Sequence, residues 1–331
     1  MRDTESEPAE IVLSEIAPAA WEHPTDRAAL DTLRSIPAFD EVVRRIYGFL
    51  GETGVRMFFQ ANAVRVGPTQ FPRVHAAYLR ACRALDLGDI PELFVSQTPF
   101  ANAGAFGMDR PFIVLNSGVL TLLDDEELQS VLGHELGHVM SEHALYRTIL
   151  EILLSVGMRG MPFLTGVALL PIQVALLEWS RKAELSCDRA GLLANQNPMA
   201  AMRTFLKLAG GGAAGEIDVN AFLVQAREYE ENESVGALVT KVLNTLGRSH
   251  PFNTLRAANL QRWIEGGAYD RILRGDYPRR GQPRSKPLLE SMGAVKGHYA
   301  TEAREAMENV AEAARKARDA LGQVFTRKKE E

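Results

Sequence analysis

His134-Glu135-Leu136-Gly137-His138 is the stretch on which the reading of this chain turns. Residues four apart on a helix share a face, with Cβ atoms about 6 Å apart. Two imidazoles at that spacing can grip one zinc ion. Glu135 follows the first histidine and is expected to point at the coordination position left to water. Zinc lowers the pKa of such a water to about 7, and a neighbouring carboxylate can take its proton. The five-residue pattern also arises by chance in long helices, so its surroundings matter. Leu128, Val131, Leu132, Leu136 and Val139 make this an apolar helix, and Gly137 allows close packing beside the metal. Asp124, Asp125, Glu126 and Glu127 precede it, where acidic residues favour the positive end of a helix dipole. The helix is expected to run to about Tyr146.

A catalytic zinc takes three protein ligands and keeps a fourth position open. His143 and Glu184 are the candidates for the third. On a helix that continues past His138, His143 points about 140° away from it. No glycine stands between them to turn the chain. His143 is therefore read as a supporting or structural residue. Glu184 lies in Arg181-Lys182-Ala183-Glu184-Leu185-Ser186-Cys187-Asp188 and shares a helical face with Asp188. It is read as the third ligand. Asp188 is then placed to accept a hydrogen bond from the far nitrogen of a ligand histidine, fixing its tautomer. The expected cofactor is one zinc ion per chain.

Working outward, apolar residues recur at helical spacing from Asp26 to Leu50, broken at Pro37. Ala63 to Val66 and Leu93 to Val95 read as short strands, and Phe112-Ile113-Val114-Leu115 as a stronger one. A helix is expected from Thr69 or Gln70 to about Leu85, and others from Glu184 to Leu193, Pro198 to Leu208, Asp218 to Leu246 and Pro251 to Ile264. The net charge of −5 argues against a nucleic-acid partner, which would need clustered Lys and Arg. Two cysteines, Cys82 and Cys187, make no disulfide framework and read as buried small residues. The start, Met1 to Glu10, lacks the basic and apolar segments of a signal peptide, so a cytoplasmic protein is expected.

The order of elements resembles the M48 family of zinc metallopeptidases, which includes the bacterial heat-shock membrane protease and the CAAX prenyl protease type. Asn102-Ala103-Gly104-Ala105-Phe106-Gly107, then Ile113 to Leu120, then Asp125-Glu126-Glu127-Leu128 lead into His134. Glu184 with Asp188 is similar to the family's E-x-x-x-D element, and His250-Pro251 with Arg256 to its late His-Pro element. The resemblance runs from about Val64 to Arg262. It implies a zincin-like metallopeptidase domain, α+β and mostly helical, with a small sheet beside the active-site helix. It implies peptide-bond hydrolysis with Glu135 as general base. Substrates would be proteins or peptides, unfolded or damaged ones included. Phe112 to Leu115 is expected to be the edge on which a substrate strand pairs. His250 and Arg256 are expected to stabilise the oxyanion or to gate the site. A zinc-binding, chaperone-like or latent homologue with little cleavage is the alternative. Cys187 departs from the small aliphatic residue more usual there.

Residues 1–25, with Pro8, Pro18 and Pro24 among acidic residues, are expected to form a loosely ordered arm. Residues 26–275 are expected to form the metallopeptidase domain. Residues 276–331 are expected to be a linker and a charged amphipathic helix able to pair with another chain, with oligomeric state left open. The apolar tract from Ile149 to Leu177 cannot be one membrane crossing, because His138 and Glu184 must meet at one metal. It is too short for two spans of about 20 residues each. A buried or membrane-dipping hairpin, in a soluble or peripherally attached protein, is expected instead.

Overall fold

A computed structural model describes residues 10–36, 38–155, 164, 169–212, 216–231 and 252–282. The fold is a mainly helical α+β arrangement with one small mixed sheet. In chain order the elements are α1 (Pro24–Arg34), α2 (Phe39–Gln60), β1 (Ala63–Arg65), α3 (Pro72–Ala84), β2 (Glu92–Ser96), β3 (Ala103–Phe106), β4 (Phe112–Asn116), α4 (Ser117–Leu122), α5 (Asp125–Met140), α6 (Ala144–Ser155), α7 (Leu169–Asn195), α8 (Pro198–Gly210), α9 (Val219–Glu231), α10 (Asn253–Glu265) and α11 (Ala268–Leu273).

The strands lie in the order β1-β2-β4-β3. β2 and β4 are parallel, and β1 and β3 flank them antiparallel. Alternation along the strands splits their side chains between two cores. Leu93, Val95, Ile113 and Leu115 face the main core with α3 and α5, while Phe94, Phe112 and Val114 form a second cluster with Phe59. β4 is therefore internal, with both edges already hydrogen-bonded. Phe112, Ile113, Val114 and Leu115 cannot pair with a substrate strand, contrary to expectation. The edge on the side of α5 is β3, a segment too rich in glycine and alanine to read as a strand from sequence.

α5 begins with a capping box. The Asp124 carboxylate accepts from the Glu127 N–H, and the Glu127 carboxylate accepts from the Asp124 N–H. The helix ends at Met140 rather than running on to Tyr146. Glu142 takes a left-handed conformation (φ 60°), and the His143 N–H donates to the His138 carbonyl. This turn, made without glycine, sets where His143 points.

α5 packs on α7 through its glycines. A Cβ built on Gly133 would stand 2.2 Å from Ala194 Cβ, one on Gly137 2.7 Å from Ala190 Cβ, and one on Gly191 2.6 Å from the Ser130 carbonyl. Hydrogen is the largest substituent these positions accept at this separation. Gly133→Ala should destabilise the chain by about 2 kcal/mol, overpacking outweighing the gain in helix propensity. Added to Ala194→Gly, the same change should cost little. Urea unfolding of the four chains measures this, and an equal cost in both backgrounds would contradict the tight crossing.

Residues 10–25 are not loose. Leu13, Ile16 and Trp21 are buried in the main core, the Leu13 N–H donates to the Ala84 carbonyl, and Ala17 donates to Pro278. The apolar side chains outweigh the prolines that suggested a free arm. Arg280 N–H donates to Glu15, so the start of the expected linker is also tied down. Among the described residues no helix is long and apolar enough to cross a membrane. The turn of the expected hairpin in 149–177, the helix from Thr301 to Lys329, and His250 lie outside the described residues.

Candidate metal centre

α5 and α7 place His134, His138 and Glu184 on facing sides of their tight crossing. All three are buried, and the Glu184 side chain is fully so. His134 Nε2 lies 3.2 Å from His138 Nε2 and 3.4 Å from Glu184 Oε2, and His138 Nε2 lies 3.2 Å from Glu184 Oε1. Acceptor atoms converging this closely repel unless a cation stands among them. Ligands about 2.0–2.1 Å from a tetrahedral zinc are separated by about 3.3 Å, so the donor set fits that ion.

The outer contacts fix each ligand. His134 Nδ1 lies 3.0 Å from Asp188 Oδ1, which leaves Nε2 to the metal. Arg256 grips Asp188 with two bonds, Nε to Oδ2 at 3.0 Å and Nη2 to Oδ1 at 2.5 Å, and Nη2 also reaches Glu184 Oε2 at 3.4 Å. The guanidinium stacks over Phe205. Burial opposes the ionised form, but Arg256 and His134 hold the Asp188 carboxyl below its ordinary range. Arg256 thus meets the site as expected from sequence, but through carboxylates.

Arg147 on α6 was not singled out in the sequence. Its Nη1 donates to Glu184 Oε1 at 2.9 Å and to His138 Nε2 at 2.5 Å. The second bond uses the lone pair a metal would take, so metal loading requires it to be given up while the bond to Glu184 can stay. The available signal was a lone cation among Leu145, Tyr146, Ile149 and Leu150. With protein charges alone, burial disfavours the His134 imidazolium, but Glu184 and Asp188 outweigh it and raise the pKa to about 9. Burial and Arg147 push that of His138 down. Burial lowers the pKa of His143 to about 3 and raises that of the Cys187 thiol, which keeps both neutral.

Glu135 is buried beside this cluster, and its Oε2 has no hydrogen-bond partner among the described residues. It lines a cavity of about 380 Å³ together with His134, Glu184, Asp188 and Arg256. Ala101, Asn102 and Ala103 at the start of β3 form one wall of that cavity, and Phe205, Leu208 and Phe252 contribute to an apolar one. The Glu135 carboxylate, two of the three convergent donors (His134 and Glu184) and the start of β3 thus open on one space, an arrangement suited to metal-dependent hydrolysis of a peptide.

Residues 68–264, more than half of the chain, match the family described as "Peptidase family M48". The chain belongs to that family. It is 33% identical over 260 residues to "Plastoglobule-localized metallopeptidase 48, chloroplastic" of Arabidopsis thaliana, covering 77% of this chain and 75% of that protein. A "Protease HtpX homolog" of Trichormus variabilis is 25% identical over 227 residues, 60% of this chain and 76% of that one. Another, of Lactobacillus acidophilus, is 37% identical over 81 residues, 24% of this chain and 26% of that one. No solved structure matches.

Proposed function

We propose that this chain is a zinc-dependent metalloendopeptidase acting on unfolded or damaged proteins, with one zinc ion held by His134, His138 and Glu184. The observation that carries this is the buried Glu135 Oε2, without a hydrogen-bond partner among the described residues, beside the convergent donors. Bound zinc supplies a Lewis acid and a water of lowered pKa. With the ion bound, the Glu135 carboxylate would accept a proton from the attacking water and give it to the leaving nitrogen. Asp188 and Arg256 keep His134 and Glu184 in register, and Arg256 serves as a brace to the ligands.

The substrate backbone is held by β3. The Asn102 carbonyl accepts from the Asn116 N–H of β4, so by alternation Ala103 turns its own N–H and C=O away from the sheet. An extended peptide can take these groups, which selects chains without structure of their own. Ala103→Pro removes one such bond. It should lower kcat/KM on an unfolded protein about tenfold, the equivalent of ~1.4 kcal/mol, and leave zinc affinity unchanged. Undiminished cleavage would rule out this edge.

A latent, zinc-binding homologue is the second reading, favoured by Arg147 standing on the His138 lone pair. It predicts a wild-type chain that binds zinc and cleaves nothing. For location we propose a cytoplasmic protein with peripheral membrane contact. The Arabidopsis relative is named as plastoglobule-localized, and α2 of this chain exposes Phe49, Met57 and Phe58.

A further inference from the structure

For His138 to offer its Nε2 lone pair to a metal, its proton must sit on Nδ1, and that proton needs an acceptor. His143 Nδ1 lies 3.2 Å away, brought there by the left-handed turn at Glu142. To accept, His143 must carry its own proton on Nε2. That nitrogen lies 3.4 Å from Asp26 Oδ2 on α1. The same oxygen accepts from Ser186 Oγ at 2.6 Å, and Ser186 Oγ in turn accepts from the His23 N–H at 2.9 Å. The three side chains are buried, and Trp179 packs edge-on against His143.

We propose that Asp26 is a positioning residue for the metal centre, selecting the metal-competent tautomer of His138 through His143. The inference rests on the metal-centre reading above and extends it to a segment outside residues 68–264, the stretch matched to the family. The logic is one of direction. An acceptor at position 26 puts a proton on His143 Nε2 and another on His138 Nδ1, leaving His138 Nε2 bare. A donor at position 26 reverses both bonds and puts the proton on His138 Nε2, where the metal should sit. An ionised carboxylate only accepts, whereas an asparagine can donate as well as accept and so no longer fixes the direction of the two bonds. Asp26 therefore does for His138, through one intervening ring, what Asp188 does directly for His134.

The test is zinc affinity, measured by competition with a chromophoric chelator at pH 8. That is above the value of about 7 to which burial raises the Asp26 pKa. Asp26→Asn should weaken zinc binding about 10–100-fold, the usual effect of losing an outer hydrogen-bond partner of a metal ligand. His143→Leu, which accepts nothing, should weaken it by a similar factor. His143→Gln, whose carbonyl can still accept from His138, should stay within about threefold of wild type. The double variant Asp26→Asn/His143→Leu should be no weaker than His143→Leu alone, because the two act along one path. Cobalt in place of zinc reads the same comparison in its visible spectrum, independently of cleavage. If Asp26→Asn does not fold, the contrast between the two His143 variants still decides. Wild-type affinity in Asp26→Asn or His143→Leu, or strictly additive losses in the double variant, would overturn the proposal while leaving the metal centre intact. So would a second zinc per chain that is lost in Cys187→Ser, which would assign His138, His143 and Cys187 to a metal of their own. A wild-type chain that binds no zinc would sink the metal centre and the relay together.

Discussion

Glu135→Gln should leave zinc binding within a few-fold of wild type and lower kcat by about 10²–10⁴-fold, the usual share of a general base. The amide is nearly isosteric with the carboxylate but cannot take a proton from water. Glu135 contributes to no ion pair among the described residues, and its Oε2 has no partner there, so its loss disturbs little else. Arg147 and Arg256 attract the buried carboxylate, but its Oε2 is buried without a hydrogen bond among the described residues, a cost to folding that is expected of a group kept for chemistry. The check is to measure zinc content and cleavage on the same preparations. A Glu135→Gln chain that cleaves at the wild-type rate would remove Glu135 from the reaction.

Glu184→Ala should have a double effect. Removing one of three ligands should weaken zinc binding by about 10³-fold or more, roughly a third of an apparent binding free energy of about 10–16 kcal/mol. The metal-free chain should also lose stability, by about 3 kcal/mol, because Arg147 is buried and donates to Glu184 at 2.9 Å. Leaving such a cation without its carboxylate is among the more costly single changes. Urea unfolding of the apo chains and chelator competition separate the two effects. Unchanged zinc affinity would remove Glu184 from the ligand set, whereas unchanged apo stability would say only that Arg147 finds another partner.

The convergence of His134, His138 and Glu184 was legible in the sequence because much of its geometry is local. The i,i+4 histidines and the Glu184–Asp188 pair each sit on one helix, and the periodicity of a helix fixes their faces. The partners were not legible, because each depends on how separate elements meet. Asp26 comes from α1, over 100 residues from His143 in the chain, and nothing in its local pattern marks it. His143 was kept out of the ligand set on the premise of a continuing helix, but the helix ends at Met140, and it is the turn at Glu142 that aims the ring at the back of His138. Phe112 to Leu115 is the strand expected, but its reading as the substrate edge failed for a related reason. Hydrophobicity marks strands that are buried on both faces, and β4, the most apolar, is for that reason internal. The edge available to a substrate is the small-residue strand β3, whose weak side-chain signal hides it. Residues 10–25 were misread because proline content signals an irregular backbone, which is not the same as an unpacked one.

The most direct test of a zinc peptidase centred on His134, His138 and Glu184 is a metal titration of the chain itself. Zinc is stripped with a chelator and returned in measured equivalents while cleavage of an unfolded protein is followed. Activity should vanish on stripping and return in full at one zinc per chain, and the Glu184→Ala chain should recover none at that ratio. Cleavage that survives the removal of zinc, or a wild-type chain that takes up none, would contradict it.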